Sequence, residues 1–134
     1  MPRKTDSNNP ADWLAIAASE LEALDLLAER EIGYNMCCGK LAEVLEKLLK
    51  AELIRHGWQL ERTHDLEKLR KELKTLDEAL ANTIQPLSTS LAEVYFTGRY
   101  PGFDLEEPNW PDFRLKLAKT RSVFEQIEKR VAKT

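Results

Sequence analysis

From Cys37 to Ala51 an apolar side chain returns at every third or fourth position, through Leu41, Val44 and Leu48, with Leu45 and Leu49 widening the stripe. That period is the repeat of an α-helix and cannot alternate across the faces of a strand. A similar step organises Leu14, Ala17, Leu21, Leu24 and Ala28 near the start of the chain. It returns in Phe113, Leu117, Thr120, Phe124, Ile127 and Val131 near the end. A helix with one greasy face must bury it against another element. Several such helices in one chain predict an all-α fold.

Punctuation residues divide the chain into its elements. Asn9-Pro10 reads as an N-cap followed by proline at the first helical position. Gly33 is expected to stop this first helix, and Gly57 to end a second one running from about Tyr34 to His56. The side of that helix away from its stripe carries Lys40, Glu43, Glu46, Lys47 and Lys50, with i,i+4 pairs expected at Glu43–Lys47 and Glu46–Lys50. Thr63 or His64 is expected to cap a third helix, with Asp65 and Glu67 in its acidic first turn and Leu66, Leu69 and Leu73 buried. Residues 76–81 fit either a short helix or an extension of the third. Gln85-Pro86 is expected to start a fourth helix that buries Leu87, Leu91, Val94 and Tyr95 and ends near Gly98. Prolines and aromatics between Arg99 and Pro111 predict an irregular segment, after which Trp110-Pro111-Asp112 restarts a helix.

The expectation is therefore an antiparallel bundle of about five helices, up-and-down in its core, whose first two form a long hairpin. A polar tail over residues 1–8 precedes a single domain over 9–134. At 134 residues the chain is long enough for one sizeable core. A net charge of −3 argues against a protein held to polyanions by bulk charge. No apolar run is long enough to cross a bilayer, and no signal-peptide core follows the basic start, so a cytoplasmic location is expected. Cys37 and Cys38 are adjacent on a helix, where side chains diverge by about 100°. Two packed thiols are expected rather than a disulfide or a shared zinc.

Three short motifs carry a resemblance. Glu46-Lys47-x-x-Lys50-Ala51 lies on the second helix, His64-Asp65-Leu66 opens the third, and Arg99-Tyr100-Pro101 follows the next long helix. Together they resemble the HEPN family (higher eukaryotes and prokaryotes nucleotide-binding), small helical bundles often encoded beside a minimal nucleotidyltransferase. The resemblance implies a homodimer, a nucleotidyltransferase partner and a nucleotide or RNA ligand, in the setting of a toxin–antitoxin pair.

On that resemblance the candidate nucleotide- or partner-binding residues are Lys47, Lys50, His64, Asp65, Arg99 and Tyr100. His64 is also the one candidate general base, since imidazole titrates near neutrality. Against this, a histidine and an aspartate at a helix start often serve only the helix, and Asp65 could pair with Arg99. Arg99 offers a planar fork to a phosphate and Tyr100 a stacking face, but both could equally tie down a loop, with Arg99 on Asp65 or Glu46. Ribonucleases of the family share an R-x4–6-H signature. It would need an arginine within residues 49–51 or 57–59, and neither stretch contains one. Arg62 is too near His64 and Arg55 too far. A non-catalytic subunit is thus the leading expectation. A divergent metal-independent ribonuclease using His64 with Arg62 or Arg99, and a structural adaptor, are its rivals.

Two further features could serve binding. Trp58, Tyr100, Phe103 and Trp110 fall in or beside turns, where they fit either a partner surface or lids over the core. From Asp112 to Thr134 seven cations face three acids, a local excess that suits RNA or a solvated outer face, and the outer face is preferred. No cofactor or metal motif is present.

Overall fold

Five helices, and no strand among the described residues, make up the computed structural model: α1 (Pro10–Arg30), α2 (Tyr34–Arg55), α3 (Leu66–Lys74), α4 (Glu78–Thr97) and α5 (Trp110–Ala132). It describes residues 7–97 and 107–133, with the side chains of 95–97 excepted. Arg99, Tyr100 and Phe103, the helix end expected at Gly98 and the side chain of Tyr95 therefore lie outside the described residues, as do residues 1–6 of the expected tail.

Asn9 caps α1 as its sequence predicts, its side chain accepting the Ala11 N–H at 3.0 Å. The end of α1 differs from expectation. It is Glu31, not Gly33, that takes the left-handed conformation closing the helix, at φ 54°. A left-handed non-glycine residue costs about 1 kcal/mol. Here Arg114 of α5 offsets it by donating to the Ala28 carbonyl at 2.9 Å and to the Glu31 carboxylate at 2.8 Å. Gly33, also left-handed at φ 70°, instead leads into α2.

Helix α2 is the axle of the bundle and packs against each of the other four helices. Trp13 near the start of α1 meets Lys50 near the end of α2, so the two run antiparallel. Buried residues occur all around α2, and its charged side is partly covered: Glu46 and Lys50 are buried, and so is Glu52, while Lys40, Glu43 and Lys47 stay partly exposed. The ion pairs adjust to that enclosure. Glu46–Lys50 forms as expected at 3.0 Å, but Lys47 turns to Glu20 of α1, and Glu43 pairs with Lys40 at 2.7 Å.

Asp65, rather than Thr63 or His64, caps α3 by accepting the Lys68 N–H at 3.1 Å. Leu66, Leu69 and Leu73 are buried as their spacing requires. Helix α4 begins at Glu78 and continues straight through Pro86, so the predicted start at Gln85-Pro86 does not hold. Proline inside a helix costs about 3 kcal/mol. Burying Leu80 and Ile84 on the turns before it returns about 1.5–3 kcal/mol for each, enough to outweigh that loss.

Asn109 caps α5 through the Asp112 N–H at 3.2 Å, and the predicted stripe from Phe113 to Ile127 is buried. Trp110 is a lid on the core: its ring meets Tyr34 edge-on at 5.3 Å and Phe113 at 5.6 Å. Trp58 is half-buried against the same core. Cys37 and Cys38 are free and buried. Burial and the neighbouring Cys38 push the Cys37 thiol up to about 11. Among the described residues no helix is long and apolar enough to cross a membrane.

Candidate functional site

The antiparallel register of α1 and α2 sets one edge of a cleft, and the connection from α2 to α3 supplies the other. Its volume is about 370 Å³. Trp13 and Ile16 come from α1, Glu46, Lys47 and Lys50 from α2, and Leu60, Glu61, Arg62 and His64 from the connection. Three of the predicted site residues, Lys47, Lys50 and His64, thus meet in one place. Asp65 does not join them. As the α3 cap it lines a separate groove that shares no residue with the cleft.

Glu46 organises the cleft. Its Oε1 lies 2.8 Å from His64 Nδ1, and its Oε2 accepts from Lys50 Nζ at 3.0 Å. The Glu46 and Lys50 side chains are only 8% and 5% exposed, whereas His64 is 65% exposed. An ionised carboxylate only accepts hydrogen bonds, so Nδ1 carries the proton in this contact and the acceptor nitrogen of the neutral ring is Nε2. The Lys50 ammonium also sits 5.4 Å from the centre of the Trp13 ring, a cation–π distance. A buried lysine committed to a carboxylate and a ring is structural. Its task is to hold Glu46 and Trp13 in position.

The basic groups of the lining that reach solvent are Arg62, His64 and, at its edge, Lys47. Lys47 is partly neutralised by Glu20, and Glu61 at the rim pairs with Lys68 at 2.7 Å. The lining cations Lys47, Lys50 and Arg62 outnumber the lining acids Glu46 and Glu61 by one before His64 is counted. Such a cleft favours a small anion with an apolar part over a long polyanion. Trp13 was not foreseen as a site residue. Its only signal is the hairpin register, because a short turn after Arg30 brings the start of α1 opposite the end of α2.

A second polar cluster crosses the bundle. Glu52, fully buried, accepts from Arg55 and from Arg130 of α5, and Arg130 also reaches Asp77 at 2.7 Å. Arg114, Lys116 and Arg121 are likewise paired, with Glu31, Asp112 and Asp25. Arg114, Arg121 and Arg130 thus pair with acids outside α5, which takes up most of its positive excess. His56 touches Arg55, its chain neighbour, at 3.1 Å. Among the described residues no three of His, Cys, Asp and Glu gather as a metal ion needs.

A family model described as HEPN domain matches residues 10–132, from the first residue of α1 to the last of α5. No curated protein and no solved structure gives a significant match.

Proposed function

The chain belongs to the HEPN domain family, and from that premise we propose that it is a non-catalytic subunit whose α1–α2 cleft binds a nucleotide. Family membership implies a nucleotide- or RNA-related role. The observation that carries the narrower reading is the convergence of Lys47, Lys50 and His64 with Trp13 around one cleft. In this reading the base lies against Trp13, Ile16 and Leu60, and the phosphate is met by Arg62, His64 and Lys47. Lys50 stays behind as support. The Arg99 and Tyr100 motif adds a guanidinium and a second ring to the same proposal on the strength of the family resemblance.

The absent R-x4–6-H spacing supports a binding rather than a cleaving role. The partner in this proposal is a minimal nucleotidyltransferase, met by a homodimer of this chain in a toxin–antitoxin pair. Calorimetric titration with ATP and AMP tests the ligand half. Heat that disappears in Arg62→Ala and Arg99→Ala supports it, and no heat with the wild-type protein removes it. Co-expression with the product of an adjacent nucleotidyltransferase gene tests the partner half.

One contact favours the rival reading of a divergent ribonuclease. Glu46 holds His64 through Nδ1, which is how a carboxylate orients a histidine that acts as a general base. RNA left intact by wild-type protein at high concentration would count against it. Cleavage that His64→Ala abolishes would overturn the binding-only proposal.

A further inference from the structure

Helix α1 carries a second stripe besides the one it buries. Asp12, Ile16, Ser19, Ala23, Leu26 and Arg30 are all exposed and recur in steps of four and three. At about 100° per residue they share an arc of roughly 80°, centred about 160° away from the buried stripe of Leu14 to Ala28. The second stripe therefore points away from the core. Ile16 and Leu26 are each 51% exposed, and only the two ends of the stripe are charged.

Steps of four and three form the seam along which two helices pack as a coiled coil. The order of the residues says which helix fits. About Leu21 the stripe is complementary to its own reverse: Asp12 and Arg30 stand nine residues to either side, Ile16 and Leu26 five, Ser19 and Ala23 two. Laid antiparallel on a second copy, Asp12 meets Arg30, Ile16 meets Leu26 and Ser19 meets Ala23. A two-fold interface requires such self-complementarity. Laid parallel, the same face would set Asp12 on Asp12 and Arg30 on Arg30. Asp12 receives the Ser7 hydroxyl at 2.5 Å, a neutral donor that leaves its charge in place. The small residues at the centre let two helices approach at the short end of their usual separation of about 8–10 Å.

We propose that the outer face of α1 is the surface on which two copies of this chain associate, antiparallel about a two-fold axis at Leu21. It rests on the homodimer of the preceding reading and gives that dimer its surface and register. Ile16 and Leu26 supply the attraction, whereas Asp12 and Arg30 at the rim mainly fix the orientation. One helix face is small for an interface, so association is weak and follows protein concentration. Glu22, exposed at the margin of the stripe, comes near its own copy and opposes association. Ile16 also edges the nucleotide cleft, so Leu26 of the partner subunit stands beside the cleft mouth.

Sedimentation equilibrium of the full chain without nucleotide, from micromolar to millimolar protein, tests this. The wild type should follow a monomer–dimer equilibrium. Leu26→Glu and Ala23→Glu, both at exposed positions, should each raise the dissociation constant by at least about tenfold, since each sets a charge in an apolar seam. Their melting curves at low concentration should match the wild type, which separates lost association from lost folding. Glu22→Gln should tighten the dimer. Asp12→Lys and Arg30→Glu should each weaken it, and the two together should restore it, which reads the antiparallel register directly. A dimer indifferent to Leu26→Glu and Ala23→Glu would overturn this surface while leaving the homodimer reading in place. A wild type that stays monomeric throughout would overturn both. A charge-swapped pair no better than its single variants would overturn the register.

Discussion

Nδ1 of His64 lies 2.8 Å from Oε1 of Glu46, so a mostly exposed imidazole is fixed by a carboxylate that is almost wholly buried. The two ends of this contact differ in energetic weight. An exposed ionic hydrogen bond contributes about 0–1 kcal/mol to stability. The buried Glu46–Lys50 pair behind it is a different case, because removing one partner leaves the other charged and enclosed. The position of His64 is thus a property the fold maintains without depending on it.

Glu46→Ala should therefore cost about 3–5 kcal/mol, while His64→Ala should cost less than about 1 kcal/mol. The double variant Glu46→Leu with Lys50→Met removes both charges at similar volume and should recover most of the loss. Urea unfolding of the set would check this. Equal losses for Glu46→Ala and His64→Ala would contradict the asymmetry.

On the proposed reading of the cleft as a nucleotide site, loss of Arg62 should weaken binding by roughly tenfold to a hundredfold, the value of one charge-assisted contact at about 1.5–3 kcal/mol. Lys50→Met should lower stability as well as affinity, because Lys50 supports the cleft from behind. Calorimetry on both variants, each with its unfolding curve, distinguishes a contact from a support.

Stability should fall in acid through Asp77 and Glu67. The Leu80 N–H and then the Arg130 guanidinium hold the Asp77 carboxyl below its usual range. Burial pushes Glu67 up, but hydrogen bonds from Ser88, Arg70 and Thr89 more than offset it and leave it lowered. A folded-state pKa below the unfolded one gives stability that is complete above the unfolded value, near 3.8 for Asp77. It is lost as pH falls through the lower folded value. Melting temperature should thus hold from neutral pH down to about 5 as far as these two groups decide it, then drop. Asp77→Asn keeps the helix cap and should flatten part of that drop.

Cys37 should resist alkylation in the folded protein. A thiol pushed up to about 11 is about one part in a thousand thiolate at pH 8, and it is fully buried. Iodoacetamide labelling followed by mass spectrometry should therefore modify Cys37 only at the rate at which the bundle opens. Labelling of Cys37 as fast as a free thiol would mean that α2 is far less enclosed than its contacts indicate.

The helical stripes were legible because each is local: Leu14 to Ala28, Cys37 to Ala51 and Phe113 to Ile127 announce themselves within one helix. What the sequence concealed depends on distant partners. Glu46 and Lys50 look like surface charges until α1 and the α2–α3 connection cover them. Glu31 is a poor left-handed residue until Arg114, far along the chain, ties it down. Asp65 competes with two plausible neighbours for the cap, and only the backbone bond to Lys68 decides. Lys47, Lys50 and His64 came from a family motif rather than from any local rule, and Trp13 could have been found only by fixing the hairpin register.

Pro86 is the position where a local rule was overruled, and its cost should be recoverable. Leu80, Ile84, Leu87, Leu91 and Val94 recur at spacings of four and three across it, and all are buried. The stripe, read ahead of the proline, is the better guide to where α4 begins. Pro86 has no N–H to donate to the carbonyl of Asn82, one turn earlier. Pro86→Ala restores that donor without disturbing the buried stripe, and should stabilise the protein by roughly 1–3 kcal/mol. Part of the gain will be lost to the greater freedom of the unfolded chain. Thermal and urea unfolding of the variant would measure it. A loss of stability would show that the bundle needs the proline's local geometry to seat α4 against α2 and α3.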